Sequence, residues 1–184
     1  KDVIMFSWFN NMKVGSKLML GFALVGTIMA AVGYLGVTNM GKVNESVENL
    51  YSVQLQPLMT VTNIRGKVHQ LRSWVVQAVL TKDPADRQQA ISKINELKQG
   101  IDENMQSFEK TIRAEDVRRA FEAFTKAVTE YRSVRDGVVL KLAVAGDQTA
   151  AIEAMKGDGG NKYRAVIESI NALVDVKMNV AKAK

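Results

Sequence analysis

The sequence contains no cysteine and only one histidine, His69. The lack of cysteine excludes disulfide bonds, thiolate zinc sites and cysteine nucleophiles. Carboxylates are not clustered at metal-ligand spacing, and the glycine-rich residues 157–160 lack the strand and the lysine of a phosphate-binding loop. We therefore predict that the chain is not an enzyme and that it uses no metal or other cofactor.

The sequence is also poor in aromatic residues and shows no strand-like alternation of polar and apolar residues. Its formal net charge is +6, but lysine and arginine alternate with glutamate and aspartate along the chain. Aromatic residues make up only 7% of the sequence, so no basic, aromatic-rich surface for nucleic acid is indicated. We expect no nucleic-acid partner.

One long apolar run is present, at residues 18–37, where no charge occurs. Its twenty residues would cover about 30 Å as a helix, which is the thickness of the bilayer hydrocarbon. The run therefore predicts a transmembrane helix surrounded by membrane lipid. Because Lys13 and Lys17 precede it, the positive-inside rule places residues 1–17 in the cytoplasm and residues 38–184 in a periplasmic domain. A cleaved signal sequence and a buried core helix are the alternatives.

After this run, apolar residues recur at heptad spacing, which is typical of helices packed in a bundle. Asp83 before Pro84, and Asp147 after Gly146, are typical of helix starts. Short loops require antiparallel neighbours, so we predict an all-α, up-down-up-down antiparallel four-helix bundle. Its first helix is extended N-terminally as the transmembrane helix. The expected helices are about residues 38–80, 84–112, 115–145 and 148–184, with a bend at Pro57 and a disturbance at residues 157–160.

Four segments occur in a characteristic order: MKVGSKLMLGFALVG, LYSVQLQPL, NIRGKVHQLRSWV and YRSVRDGVVLKLAVAGDQTAAIEAM. Together they resemble the N-terminal region of methyl-accepting chemotaxis proteins with a four-helix-bundle ligand-binding domain, over residues 5–184. The resemblance implies a homodimeric sensor in the bacterial plasma membrane that binds a ligand and moves its fourth helix. It also implies that a second membrane helix and a cytoplasmic kinase-control region follow the present chain.

The resemblance further implies a ligand site. In the amino-acid receptors of this family, ligands bind between subunits, held by arginines of the first helix and by the start of the fourth. Aligned on Arg72, the basic positions of those receptors correspond to Lys67, Arg72 and Val76. Valine at the third position weighs against amino-acid recognition of that kind.

The residues themselves indicate a related cationic set. Arg65 and Arg72 are one heptad apart and share a helix face beside the apolar seam. Arg135 occupies a core position of the third helix. Because all helices rise by the same length per residue, counting from the turns that join them places Arg135 in about the same layer as Arg72 and Lys156. Arginine pairs well with carboxylates. We therefore expect Arg72 and Arg135 to bind a small anion such as an organic acid, supported by Arg65, Lys156 and Lys67.

Plainer explanations exist for these residues. Arg135 could be neutralised by Glu130 or Asp136, while His69 could be a surface residue and Tyr163 a core residue. The preferred function is the sensory region of a transmembrane chemoreceptor for an organic acid. The alternatives are a receptor that reads a periplasmic binding protein, a histidine kinase or cyclase with the same bundle, and a membrane-anchored structural protein.

Overall fold

The computed structural model describes residues 12–182. This range is helical and contains no strand, which confirms the predicted all-α class. The chain divides into two compact units, Lys1–Asn49 and Leu50–Lys184.

The described part of the first unit is one helix, α1, at Val14–Asn49. Its large apolar side chains are exposed, including Phe22, Ile28 and Leu35. By length and composition, one described helical stretch, Val14–Leu80, could cross a membrane; its most apolar window has a mean hydropathy of 2.0 and is 0% buried. This apolar surface is the feature that the predicted transmembrane helix requires.

The second unit is a four-helix bundle, as predicted. The first and second bundle helices pack against each other, and so do the third and fourth; the first also contacts the fourth. Two of the four contain a π-helical segment, in which each backbone hydrogen bond spans five residues instead of the four of an α-helix. The first bundle helix comprises π1 (Leu50–Leu55) and α2 (Gln56–Leu80), and the second is α3 (Pro84–Glu109). The third comprises α4 (Glu115–Val134), π2 (Arg135–Val139) and α5 (Leu140–Val144). The fourth comprises α6 (Gln148–Lys156) and α7 (Asp158–Lys182).

The helix ends follow local chemistry. Asp83 caps α3 by accepting a hydrogen bond of 2.7 Å from the Ala85 amide, and Asp147 caps α6 in the same way. Gly146 follows the end of α5 and has a φ of 84°, a left-handed conformation that residues with a Cβ rarely adopt. Helix α3 stops three residues before the expected residue 112. There the Thr111 hydroxyl donates to the carbonyl of Phe108 at 2.6 Å, which competes with continued helical bonding.

The bundle core is built from the heptad positions. Along α2 the apolar residues three or four apart are buried, and the large aromatic residues Phe108 and Phe124 are 0% exposed. Gly159 allows close packing at the start of α7, since a Cβ there would lie 3.0 Å from the Ala154 carbonyl oxygen and 3.4 Å from a Val139 methyl. The buried residues of α2 are Pro57, Val61, Ile64, Val68, Leu71, Val75, Ala78 and Val79.

Candidate functional site

Arg72 lies at the junction of the first and fourth bundle helices. Its side chain is half-buried, and its Nη2 donates a hydrogen bond of 3.0 Å to the carbonyl oxygen of Met155. Its guanidinium carbon is 5.3 Å from the centroid of the Tyr163 ring, which is within cation–π range. In the described part of the chain, Arg72 forms no ion pair with a carboxylate. A backbone carbonyl and a ring orient this guanidinium without neutralising its charge.

Tyr163 joins Arg72 to His69. The Tyr163 hydroxyl and His69 Nδ1 are 2.6 Å apart, and the two rings meet edge to face with centroids 6.1 Å apart. Which atom donates depends on the histidine tautomer. His69 is exposed, as the sequence predicted, but its contact with Tyr163 was not predicted. The signal was the spacing of three residues between His69 and Arg72, which places them on one face of α2.

Beneath Tyr163 lies Tyr131, whose ring centroid is 5.8 Å away. Tyr131 is 3% exposed, and within residues 12–182 its hydroxyl oxygen has no hydrogen-bond partner. Burial raises the pKa of Tyr131 above its ordinary value, because the charged form is poorly solvated. The positive charges of Arg72 and Arg135, and a weak polar interaction of the Arg72 side chain with the hydroxyl, partly oppose this rise. The protein therefore holds a neutral hydroxyl without a well-formed hydrogen bond at the centre of the cluster.

We predict that Tyr131→Phe is neutral or stabilises the protein by up to about 1 kcal/mol, because it removes a buried hydroxyl that lacks a partner. In the parent protein the unfolded tyrosine ionises near pH 10, below the pKa of the folded state. Stability is therefore lost as pH rises from about 10 through the folded pKa, and the variant should lose less. Thermal melts between about pH 8 and pH 11 test both points. Marked destabilisation of the variant at neutral pH would contradict this account.

Arg135 lies in the same layer, but its guanidinium is paired with a carboxylate of the protein itself. It is 2% exposed, and its Nε and Nη2 donate to the two carboxylate oxygens of Asp136 at 2.6 and 2.8 Å. Its guanidinium carbon is also 5.7 Å from the centroid of the Tyr131 ring. The cavity beside Arg135 and Tyr131 measures about 10 Å³, enough for about one water molecule and too small for an organic acid.

Glu130, the other acidic residue considered as a partner of Arg135, is paired with a lysine instead. It accepts a hydrogen bond of 2.8 Å from Lys162 Nζ across the third and fourth bundle helices. This contact lowers the pKa of Glu130 and raises the pKa of Lys162. The pair adjoins Tyr131 and Tyr163 in sequence, so it links α4 and α7 beside the aromatic cluster.

The other predicted cations are spread around Arg72. Lys156 is exposed and directly follows Met155, whose carbonyl Arg72 binds. Arg65 Nη1 donates to Asn171 Oδ1 of α7 at 3.3 Å. Lys67 Nζ donates to the Gly100 carbonyl of α3 at 3.1 Å, on another side of α2. Arg72 thus bonds to the backbone carbonyl of the residue before Lys156, whereas Arg65 and Lys67 make separate contacts.

A guanidinium that is oriented but not neutralised is suited to binding an anion. Within residues 12–182, no three His, Asp or Glu side chains are placed to hold a metal ion. A family model described as a four helix bundle sensory module for signal transduction matches residues 11–184. Comparisons with curated proteins and with solved structures gave no match.

Proposed function

Because the chain belongs to the family of four-helix-bundle sensory modules for signal transduction, we propose that it is the sensory region of a transmembrane chemoreceptor for a small organic acid. This family is a sensory signalling family and not a catalytic one. In the proposal, Arg72 provides the main contact with the ligand carboxylate and Lys156 assists it. Arg65 and Lys67 add to the positive field, whereas the charge of Arg135 is balanced by Asp136.

The observation that carries this proposal is the state of Arg72. Its guanidinium is held between the Met155 carbonyl and the Tyr163 ring and forms no ion pair in the part of the chain that the structure describes. An arginine oriented in this way has lost little of its capacity to bind a carboxylate through two parallel hydrogen bonds. Lys156, one residue from Met155, can supply a second charge to the same anion.

We further propose that α1 anchors the sensor in the bacterial plasma membrane, with residues after about 38 in the periplasm. The exposed apolar surface of α1 supports this, as do Lys13 and Lys17 at its N-terminal side. Signal output through a kinase-control region is part of the same proposal. A histidine kinase or cyclase output would use the same sensory bundle.

We expect Arg72→Ala to weaken binding of an organic acid by about 1.5–3 kcal/mol, which is roughly 10- to 150-fold in Kd. The physical reason is the loss of charge-assisted hydrogen bonds to the carboxylate. Calorimetric titration with a panel of mono- and dicarboxylates measures this effect. Arg164→Ala is the matched control, since Arg164 is an exposed arginine of the same bundle whose hydrogen bond within residues 12–182 is to Asn161. If no carboxylate in the panel binds saturably, the proposal is wrong.

A homodimer is the proposed assembly. Tyr51, Leu55 and Met59 recur every four residues along the first bundle helix and are 44–58% exposed, a row of apolar side chains suited to a partner helix. Because the sequence has no cysteine, a single introduced cysteine can form a disulfide only with its copy in a second chain. Met59→Cys is expected to form a disulfide-linked dimer on mild oxidation, whereas Gln99→Cys, on the exposed surface of α3, should remain monomeric. Equal cross-linking of both variants would contradict the proposed interface.

A further inference from the structure

His69 lies one helical turn before Arg72 on α2, and it is exposed. The Tyr163 ring of α7 is close to both residues: its centroid is 6.1 Å from that of the imidazole and 5.3 Å from the Arg72 guanidinium carbon. Residues three apart on a helix are neighbours on one face. The imidazole and the guanidinium therefore border the same surface, where the first bundle helix meets the fourth.

The Tyr163 hydroxyl fixes the position of the proton on the imidazole. Its oxygen is 2.6 Å from His69 Nδ1, which is its hydrogen-bond partner within residues 12–182. Burial raises the pKa of Tyr163, with partial opposition from the charge of Arg72, so the hydroxyl keeps its proton at neutral pH. The hydroxyl donates this proton to Nδ1, because Nδ1 is the acceptor that the described residues offer. A neutral imidazole that accepts at Nδ1 carries its own proton on Nε2.

His69 Nε2 is then a hydrogen-bond donor at the protein surface. Among residues 12–182, no carboxylate forms an ion pair with His69 or with Arg72, and the imidazole makes its described hydrogen bond through Nδ1. A carboxylate has two oxygens and about four acceptor sites. One anion can therefore accept hydrogen bonds from the guanidinium and from the imidazole at the same time.

We infer that His69 is a ligand-binding residue of the Arg72 site, and that its Nε2–H donates to the carboxylate of the bound organic acid. Tyr163 is the positioning residue, because its hydroxyl holds the imidazole in the tautomer that presents this donor. The inference rests on the proposed function, since it adds a contact to the same site. It is nevertheless tested separately, because Arg72 can bind a carboxylate without a donor at position 69.

Glutamine and asparagine at position 69 distinguish the two ring nitrogens. A glutamine side chain places its amide nitrogen near the position of Nε2, whereas the shorter asparagine places its amide nitrogen near that of Nδ1. We expect His69→Asn to weaken binding about tenfold, and His69→Gln to bind about fivefold more tightly than His69→Asn. Calorimetric titration of the full chain in lipid nanodiscs, with acetate, succinate and benzoate as probes, measures these affinities.

Gln70→Asn is the matched control, since it introduces asparagine at the neighbouring exposed position of α2 and should leave the affinity unchanged. Tyr163→Phe tests the positioning role, because it keeps the ring beside Arg72 and removes the hydroxyl. It should weaken binding about threefold in the parent chain. In the His69→Gln background it should have no further effect, because an amide has no tautomers to select. Circular dichroism verifies that each variant is folded.

The tautomer itself can be measured without a ligand. His69 is the single histidine of the sequence, so nitrogen-isotope labelling of histidine in a tag-free protein gives NMR signals from one ring. We expect the proton on Nε2 at mildly alkaline pH. A proton on Nδ1 would overturn the inference, whichever acid the protein binds.

The titrations distinguish failure of the inference from failure of the proposed function. If a probe binds the parent chain saturably and His69→Asn binds it as tightly as His69→Gln, the inference is overturned and the proposed function stands. If none of the probes binds the parent chain saturably, the inference and the organic-acid proposal fail together.

Discussion

Replacing Phe108 with alanine is expected to lower the free energy of unfolding of the bundle by about 3–5 kcal/mol. Phe108 is 0% exposed, and its ring centroid lies 5.5 Å from that of Phe121 in a tilted arrangement. Truncation removes the transfer free energy of the ring and leaves a cavity between α3 and α4 that the surrounding helices fill only partly. Because domains of this kind are stable by only about 5–15 kcal/mol, the loss is a large fraction of the total.

Urea unfolding of residues 40–184, followed by circular dichroism, measures this loss. Leu80→Ala provides the control, because Leu80 is an apolar residue at the end of α2 that is 51% exposed. Its replacement is expected to change the unfolding free energy by no more than about 0.5 kcal/mol. A Phe108→Ala variant as stable as the Leu80→Ala control would show that Phe108 is not a core residue.

Asp136→Ala is expected to destabilise the bundle by about 2–3 kcal/mol. The carboxylate of Asp136 is 43% exposed, but the guanidinium that it neutralises is 2% exposed. Removing the acid leaves Arg135 as a buried cation whose remaining described contact is the face of the Tyr131 ring. The free-energy cost of this unpaired buried charge is expected to exceed the net stabilisation by the ion pair, because the desolvation of the guanidinium is no longer offset.

The matched variant is Arg135→Met, which removes the cation and keeps similar volume. We expect it to be near neutral or stabilising, and we expect Arg135→Met with Asp136→Ala to be close to Arg135→Met alone. The double-mutant cycle therefore gives a large coupling energy from urea unfolding of the four proteins. Additive effects of the two substitutions would contradict the pairing. Retained organic-acid binding in Arg135→Met would show that Arg72 does not need Arg135 to hold the ligand.

The regular part of the fold could be predicted from the sequence. Heptad spacing indicated four helices, and buried Val61, Ile64 and Val68 occupy the predicted seam of the first bundle helix. Asp83 and Asp147 cap helices where expected, because capping depends on neighbours two or three residues away. The two π-helical segments were not predicted, since their wider turns depend on packing across the bundle as well as on local sequence.

The candidate site was predicted only in part. Arg72 was selected as a ligand-binding residue, which stays a prediction, and its hydrogen bond to the carbonyl of Met155 agrees with the expected common layer of Arg72 and Lys156. Whether a cation is available depends on contacts between residues far apart in sequence. Lys67 bonds to Gly100, 33 residues away, and no periodicity in the sequence reports such a contact. The cluster of Tyr131, Tyr163 and His69 was missed for the same reason.

The sequence by itself determined the helical class, the long apolar segment, the four-helix order and the excess of positive charge, because each depends on composition or short-range spacing. Only the tertiary structure decided that Arg135 is neutralised by Asp136, that Arg72 is held by Met155 and Tyr163, and that His69 contacts Tyr163. These outcomes depend on which side chains meet when helices pack. Packing sets the partner and the solvation of each charge, and these two quantities decide whether a cation stabilises the fold or remains available to a ligand.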